Sequence, residues 1–172
     1  MRARIWLALF TLAASVGADA HSASDAYLTL TLDDSQPATA RVLHGQWDIA
    51  LRDLDFALQL DDGDGRLTWG EVRRDQPAIV RYALAHLQFD AAGGQPCAIG
   101  AVRQLIDEHA DGAYASLSFD VRCSGAPAKL ALSYDLFFAI DPSHRGIFVM
   151  RSGADAATAV LSPQNARIEL TL

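Results

Sequence analysis

Tyr27-Leu28-Thr29-Leu30-Thr31-Leu32 alternates between two kinds of side chain. A period of two puts the leucines on one face of a strand and Tyr27, Thr29 and Thr31 on the other, so this stretch predicts a half-buried β-strand. Asp33-Asp34-Ser35-Gln36-Pro37 ends it, and a second strand is predicted from Ala40 towards Trp47, with Val42 as an apolar member. The period then changes. Trp47, Leu51, Leu54 and Leu58 recur at helical spacing and would share one face, with Arg52, Asp53 and Asp55 turned away. Asp61-Asp62-Gly63-Asp64-Gly65 cannot continue a helix, because glycine and clustered carboxylates favour a tight turn. A second helical segment starts at about Trp69. Pro77 inside it predicts either a kink or two short helices, the later one burying Ile79, Val80, Ala83, Leu84 and Leu87.

Past the breaker Ala92-Gly93-Gly94-Gln95-Pro96, the pattern returns to strands. They are predicted over Ala98 to Ile106, Tyr114 to Cys123, Lys129 to Ile140, Gly146 to Arg151, Ala157 to Leu161 and Arg167 to Leu172, with turns between them at Asp111-Gly112, Ser124-Gly125, Asp141-Pro142 and Ser162-Pro163. Short strands at this spacing predict an α+β chain: a mainly antiparallel, β-sandwich-like body with an EF-hand-like helix-loop-helix inserted at about 47–89.

At the N-terminus, Arg2 and Arg4, the apolar run Ile5 to Leu12 and the small residues ending in Ala18-Asp19-Ala20 read as a secretory signal, residues 1–20, cleaved before His21. The run is far short of the roughly twenty residues needed to span a bilayer. Residues 21–172 are then a single extracytoplasmic domain, periplasmic or secreted and not membrane-spanning. Without residues 1–20 the 14 basic and 21 acidic residues become 12 and 20, a net charge of −8. That balance argues against nucleic acid as a partner. Cys97 and Cys123, an even count with no Cys-x-x-Cys spacing, predict one disulfide worth roughly 3 kcal/mol by loop closure.

The stretch from Leu60 to Glu71 carries the chemistry. Calcium takes six to eight oxygen ligands, and its helix-flanked loop alternates carboxylates, turns on a glycine at the sixth position and ends on a glutamate at the twelfth. Placing Gly65 sixth makes Asp62 third, Asp64 fifth, Arg66 the seventh, through its carbonyl, Leu67 the apolar eighth, Thr68 ninth and Glu71 twelfth. The first position falls on Leu60, and the carboxylate that belongs there, Asp61, stands one residue late. The loop thus reads as one residue short, with Asp61 as the compensating ligand and a weak calcium site as the expected outcome. An acidic turn that binds nothing is the competing reading.

Four stretches of the chain, His21 to Leu28, Gly45 to Asp55, the acidic loop with Thr68-Trp69-Gly70-Glu71, and Asp141-Pro142-Ser143-His144-Arg145-Gly146, resemble the extracytoplasmic N-terminal region of HupE/UreJ-like membrane proteins. The resemblance covers nearly all of residues 21–172. It implies a domain beside metal traffic, partnered by a membrane transport protein. In that family membrane helices generally follow this region, and the transported metal is often inferred to be nickel; here the sequence stops at Leu172.

Two further expectations concern metals and catalysis. A mature N-terminal His21 offers its amine and imidazole to nickel or copper, which favour nitrogen donors, and would need a second histidine from His44, His86, His109 or His144. No Gly-x-Ser-x-Gly, Cys-His or His-Glu-x-x-His arrangement is present, so the chain is read as non-enzymatic. Asp107-Glu108-His109 and Asp111 read as a solvated hairpin tip. Trp47 and Trp69 are expected to pack the helix pair together.

Overall fold

Every second residue of the first strand, β1 (Asp25–Leu32), is buried, and the alternation builds one wall of the core from Ala26, Leu28, Leu30 and Leu32. A computed structural model describes residues 24–33, 35, 37, 42–125 and 127–172. The signal segment 1–20, His21 and the start of the second predicted strand at Ala40 lie outside the described residues. The chain continues as β2 (Leu43–Ala50), α1 (Leu51–Leu58), α2 (Trp69–Arg74), α3 (Gln76–Ala85), β3 (Leu87–Ala91), β4 (Gln95–Pro96), β5 (Ala98–Ile99), β6 (Arg103–His109), β7 (Gly112–Arg122), β8 (Lys129–Tyr134), β9 (Arg145–Ser152), β10 (Asp155–Leu161) and β11 (Arg167–Thr171). The α+β class and the sandwich-like body are as predicted.

Seven strands form one sheet in the order β10-β9-β1-β2-β7-β5, with β6 also on β7; four form the other, β11-β8-β3-β4. All pairs are antiparallel except β1 with β9, which run parallel, Asp25 opposite Arg145. The two inner faces meet in one apolar core. Phe89 of β3 faces Phe119 of β7 at 6.4 Å between ring centres, and Trp47 of β2 lies 5.6 Å from Tyr134 of β8. Cys97 and Cys123 are bonded, as predicted, and tie the start of β5 to the end of β7. No helix of the described residues is long and apolar enough to cross a membrane.

Several boundaries differ from the sequence reading. Trp47 does not begin a helix: β2 runs through it to Ala50, pairing Trp47 with Leu28 and Leu117, and α1 starts only at Leu51. Leu43, Gly45, Trp47 and Ile49 also alternate, and burial against both neighbouring strands decides in favour of the period of two. Pro77 separates two helices, α2 and α3, and sits in the first turn of α3, where its missing N–H costs nothing. Ile79 and Ala83 are the buried members of α3, while Leu87 belongs to strand β3, so the helical insertion is 51–85 and not 47–89. The predicted strand from Lys129 to Ile140 ends at Tyr134, and turns follow, with Phe137 at φ 60°. The strand predicted over Ala98 to Ile106 is broken between β5 and β6.

Candidate functional site

The acidic loop joins α1 to α2, and its two ends are anchored before its carboxylates are considered. Leu54 of α1 and Val72 of α2 are fully buried, each worth roughly 1.5–3 kcal/mol as apolar burial. The chain leaves α1 through Gln59 in the left-handed region, φ 54°. The N–H groups of Leu60 and Asp61 then turn back onto one oxygen of Asp55, at 2.9 and 3.0 Å. Asp55 therefore faces the loop, which corrects its placement on the outer face of α1.

Within the turn, Asp61 accepts a hydrogen bond from the Gly65 N–H at 2.8 Å, and Asp64 accepts one from the Arg66 N–H at 2.9 Å. Gly65 has φ 77°, a conformation glycine adopts without the steric cost of a Cβ. The exit is a capping box. The Thr68 hydroxyl accepts from the Glu71 N–H at 3.3 Å, and the Glu71 carboxylate accepts from the Thr68 N–H at 2.6 Å. Glu71 also accepts from the Thr68 hydroxyl at 2.7 Å and from the Asp62 N–H across the loop at 3.0 Å. These donors hold its carboxyl down to about 2, the Thr68 hydroxyl contributing most.

Arg74, one turn along α2 from Glu71, was not foreseen. Its guanidinium lies 3.2 Å from the Asp62 carboxylate, donates to the Leu60 carbonyl at 3.2 Å and pairs with Asp75 at 2.8 Å. Asp62 thus points at an arginine on the rim, with its side chain 70% exposed. The signal for this was present, a basic residue three positions after the glutamate, but such spacing is common on any helix.

The donor set fits a hard cation in kind: carboxylates at Asp61, Asp62, Asp64 and Glu71, a carbonyl at Arg66 and a hydroxyl at Thr68. Its orientation is another matter. Asp61, Asp64 and Glu71 are directed at backbone N–H groups and Asp62 at Arg74. Among the described residues, no group of three or more His, Cys, Asp or Glu side chains is arranged to hold a metal ion.

The described histidines are each engaged elsewhere. His44 pairs with Asp120 and His86 with Asp135, both at 2.8 Å, and His109 stacks on Tyr114 with ring centres 4.1 Å apart. His144 is fully buried, its Nε2 2.7 Å from the Tyr134 hydroxyl and its Nδ1 2.7 Å from the Ser24 hydroxyl. Trp47 packs in the sandwich core and Trp69 is 45% exposed, so the two tryptophans do not clamp the helix pair. The tip carrying Asp107, Glu108, His109 and Asp111 is the β6–β7 hairpin, as predicted. No family model matches the chain, and no curated protein matches it in sequence.

Proposed function

We propose that this chain is an exported, non-enzymatic binding domain whose loop from Asp61 to Glu71 takes calcium weakly as a structural ion, in a setting beside a membrane metal-transport system. The observation that carries the reading is the Asp61 carboxylate on the Gly65 N–H at 2.8 Å. That contact holds Asp61 against the turn at Gly65, which supports reading it as the compensating first ligand of a loop one residue short. The offset from Thr68 to Glu71, cap to third helical residue, supports the same register. An extracytoplasmic setting is supported by the Cys97–Cys123 bond, and the place beside transport by the resemblance to HupE/UreJ-like proteins.

Weakness follows from competition. Three protein donors already occupy three of the about four lone-pair positions of Glu71, so a bidentate grip on calcium costs part of the capping box. Asp62 must leave Arg74. Dissociation constants of roughly 10⁻⁴ to 10⁻³ M, usual for extracellular calcium modules, suit a site with these costs. Saturation at ten times the dissociation constant would then stabilise the fold by about 1.4 kcal/mol.

A second reading is favoured by the same contacts: the loop is a hydrogen-bonded clasp between α1 and α2 in which Arg74 takes the cation's place. Calorimetric titration with calcium, after chelator treatment, separates the two. The calcium reading expects one ion bound by the wild type, none by Asp64→Ala/Glu71→Ala, and tighter binding by Arg74→Gln, which releases Asp62. No heat from either wild type or Arg74→Gln at millimolar calcium would establish the clasp instead.

A further inference from the structure

The outer face of the seven-stranded sheet carries a cleft of about 480 Å³ lined by β1, β2, β6 and β7, within the range of small-molecule sites. A fault in strand pairing shapes it. Ile99 of β5 sits opposite Val121, but Arg103 of β6 sits opposite Ser118, so three residues, 100–102, face only two, 119 and 120. This is a β-bulge, held by the Gly100 N–H donating to the Asp120 carbonyl at 2.8 Å. Had the β5 register simply continued, Arg103 would stand opposite Leu117, which is fully buried. The bulge moves it onto the outer face, in one row with Ser118, Gln46 and Thr29 on the next three strands.

Three features distinguish this row from an ordinary solvated sheet face. The side chain of Arg103 makes no hydrogen bond or ion pair with any other described residue. The charge of Asp120 is already matched by Arg122 at 2.9 Å, so Arg103 is left as the unmatched charge of the cleft. Finally, because a carboxylate only accepts, the Asp120 contact puts the His44 proton on Nδ1 and leaves Nε2 as an acceptor. Gln46 spends its amide N–H groups on Asp48 and likewise keeps its carbonyl oxygen to accept.

We infer that this cleft binds a small sugar acid, its carboxylate on the Arg103 guanidinium and its hydroxyls donating to Gln46 and His44 and meeting the Ser118 hydroxyl. The planar fork of arginine matches a carboxylate in two parallel hydrogen bonds. From Arg103 to Gln46 is two inter-strand steps, about 10 Å, the span of a hexuronate with its contacts. A neutral sugar leaves Arg103 unused, and a bare carboxylate leaves the acceptors unused. The site is separate from the acidic loop and independent of calcium.

D-glucuronate, D-glucose and acetate, each titrated into the purified protein and followed by NMR, test this. Glucuronate at millimolar concentration is expected to shift the resonances of Arg103, Gln46, His44 and Thr29, with glucose and acetate at least tenfold weaker. Arg103→Gln should weaken glucuronate about tenfold or more, the loss of a charge-assisted contact. Its melting temperature should not change, because the side chain bonds to no described residue of the fold. Gln46→Glu, a second variant, should also weaken binding by placing a carboxylate beside the ligand's own. The inference is overturned if millimolar glucuronate leaves the cleft resonances unmoved, if acetate or glucose binds equally well, or if both variants bind as the wild type does.

Discussion

Lowering the pH from 7 to 4 should remove a defined part of this protein's stability through His144. The ring is fully buried among Tyr134, Phe137 and Phe138. Its two nitrogens are 2.7 Å from the hydroxyls of Tyr134 and Ser24, and the Ser24 hydroxyl also meets Asp53 at 2.9 Å. Burial pushes its pKa down from 6.5 to about 4, only partly countered by Asp141. In the unfolded chain it takes up a proton as pH falls below 6.5, whereas in the folded chain it stays neutral until about 4. Protons therefore favour the unfolded state across that window. Stability is full above pH 6.5 and is lost as pH falls towards 4. At 1.36 kcal/mol per pH unit the loss is about 3 kcal/mol. Urea unfolding of the wild type and His144→Gln at steps from pH 7 to pH 4 measures it. The variant begins less stable because the ring contacts are gone, but the gap to the wild type should close by about 3 kcal/mol on acidification. Asp53, whose carboxyl burial holds up, is present in both proteins and largely cancels in the difference. An unchanged gap, or an NMR titration of His144 near 6.5, would refute the argument.

Other perturbations are read on the same unfolding curves. Gly45→Ala places a Cβ into the Phe119 ring, which is itself packed against Phe89, so the ring must move, and a loss of about 1–3 kcal/mol is expected. Thr68→Ala removes the hydroxyl that caps α2 and should cost about 1 kcal/mol. The contribution of Glu71, whose pKa is lowered in the fold, should be present above pH 4.5 and be lost as pH falls towards 2, with Glu71→Gln abolishing that acid-side slope. Reducing the Cys97–Cys123 bond, which closes a separation of 26 residues, should cost roughly 3 kcal/mol, and Cys97→Ser/Cys123→Ser should match it under oxidising conditions.

Local signals were sufficient wherever a local rule decides the backbone. The alternation of Tyr27 to Leu32 lies in β1 as read, the glycine-rich turn is free of helix, Pro77 divides the later helices, and the two cysteines pair. The start of α2 is equally local, since Thr68 and Glu71 satisfy each other's backbone within four residues. What lay beyond such rules was settled by partners distant in sequence. Trp47 fits both a helical and a strand period, and only pairing with Leu28 and Leu117 chooses. No local pattern announces that β9 lies parallel to β1, 120 residues away, or that the same pairing buries His144 against Ser24. The carboxylates of the loop are plain in the sequence, but their directions depend on Asp55 before the loop and Arg74 after it. A side chain's type is written in its own position, whereas its aim is set by whichever charge or N–H group the fold brings within 3 Å. Arg103 shows the same division: its charge is plain in the sequence, and the shift of register against β7 between Ile99 and Arg103 decides that it faces the cleft and not the core.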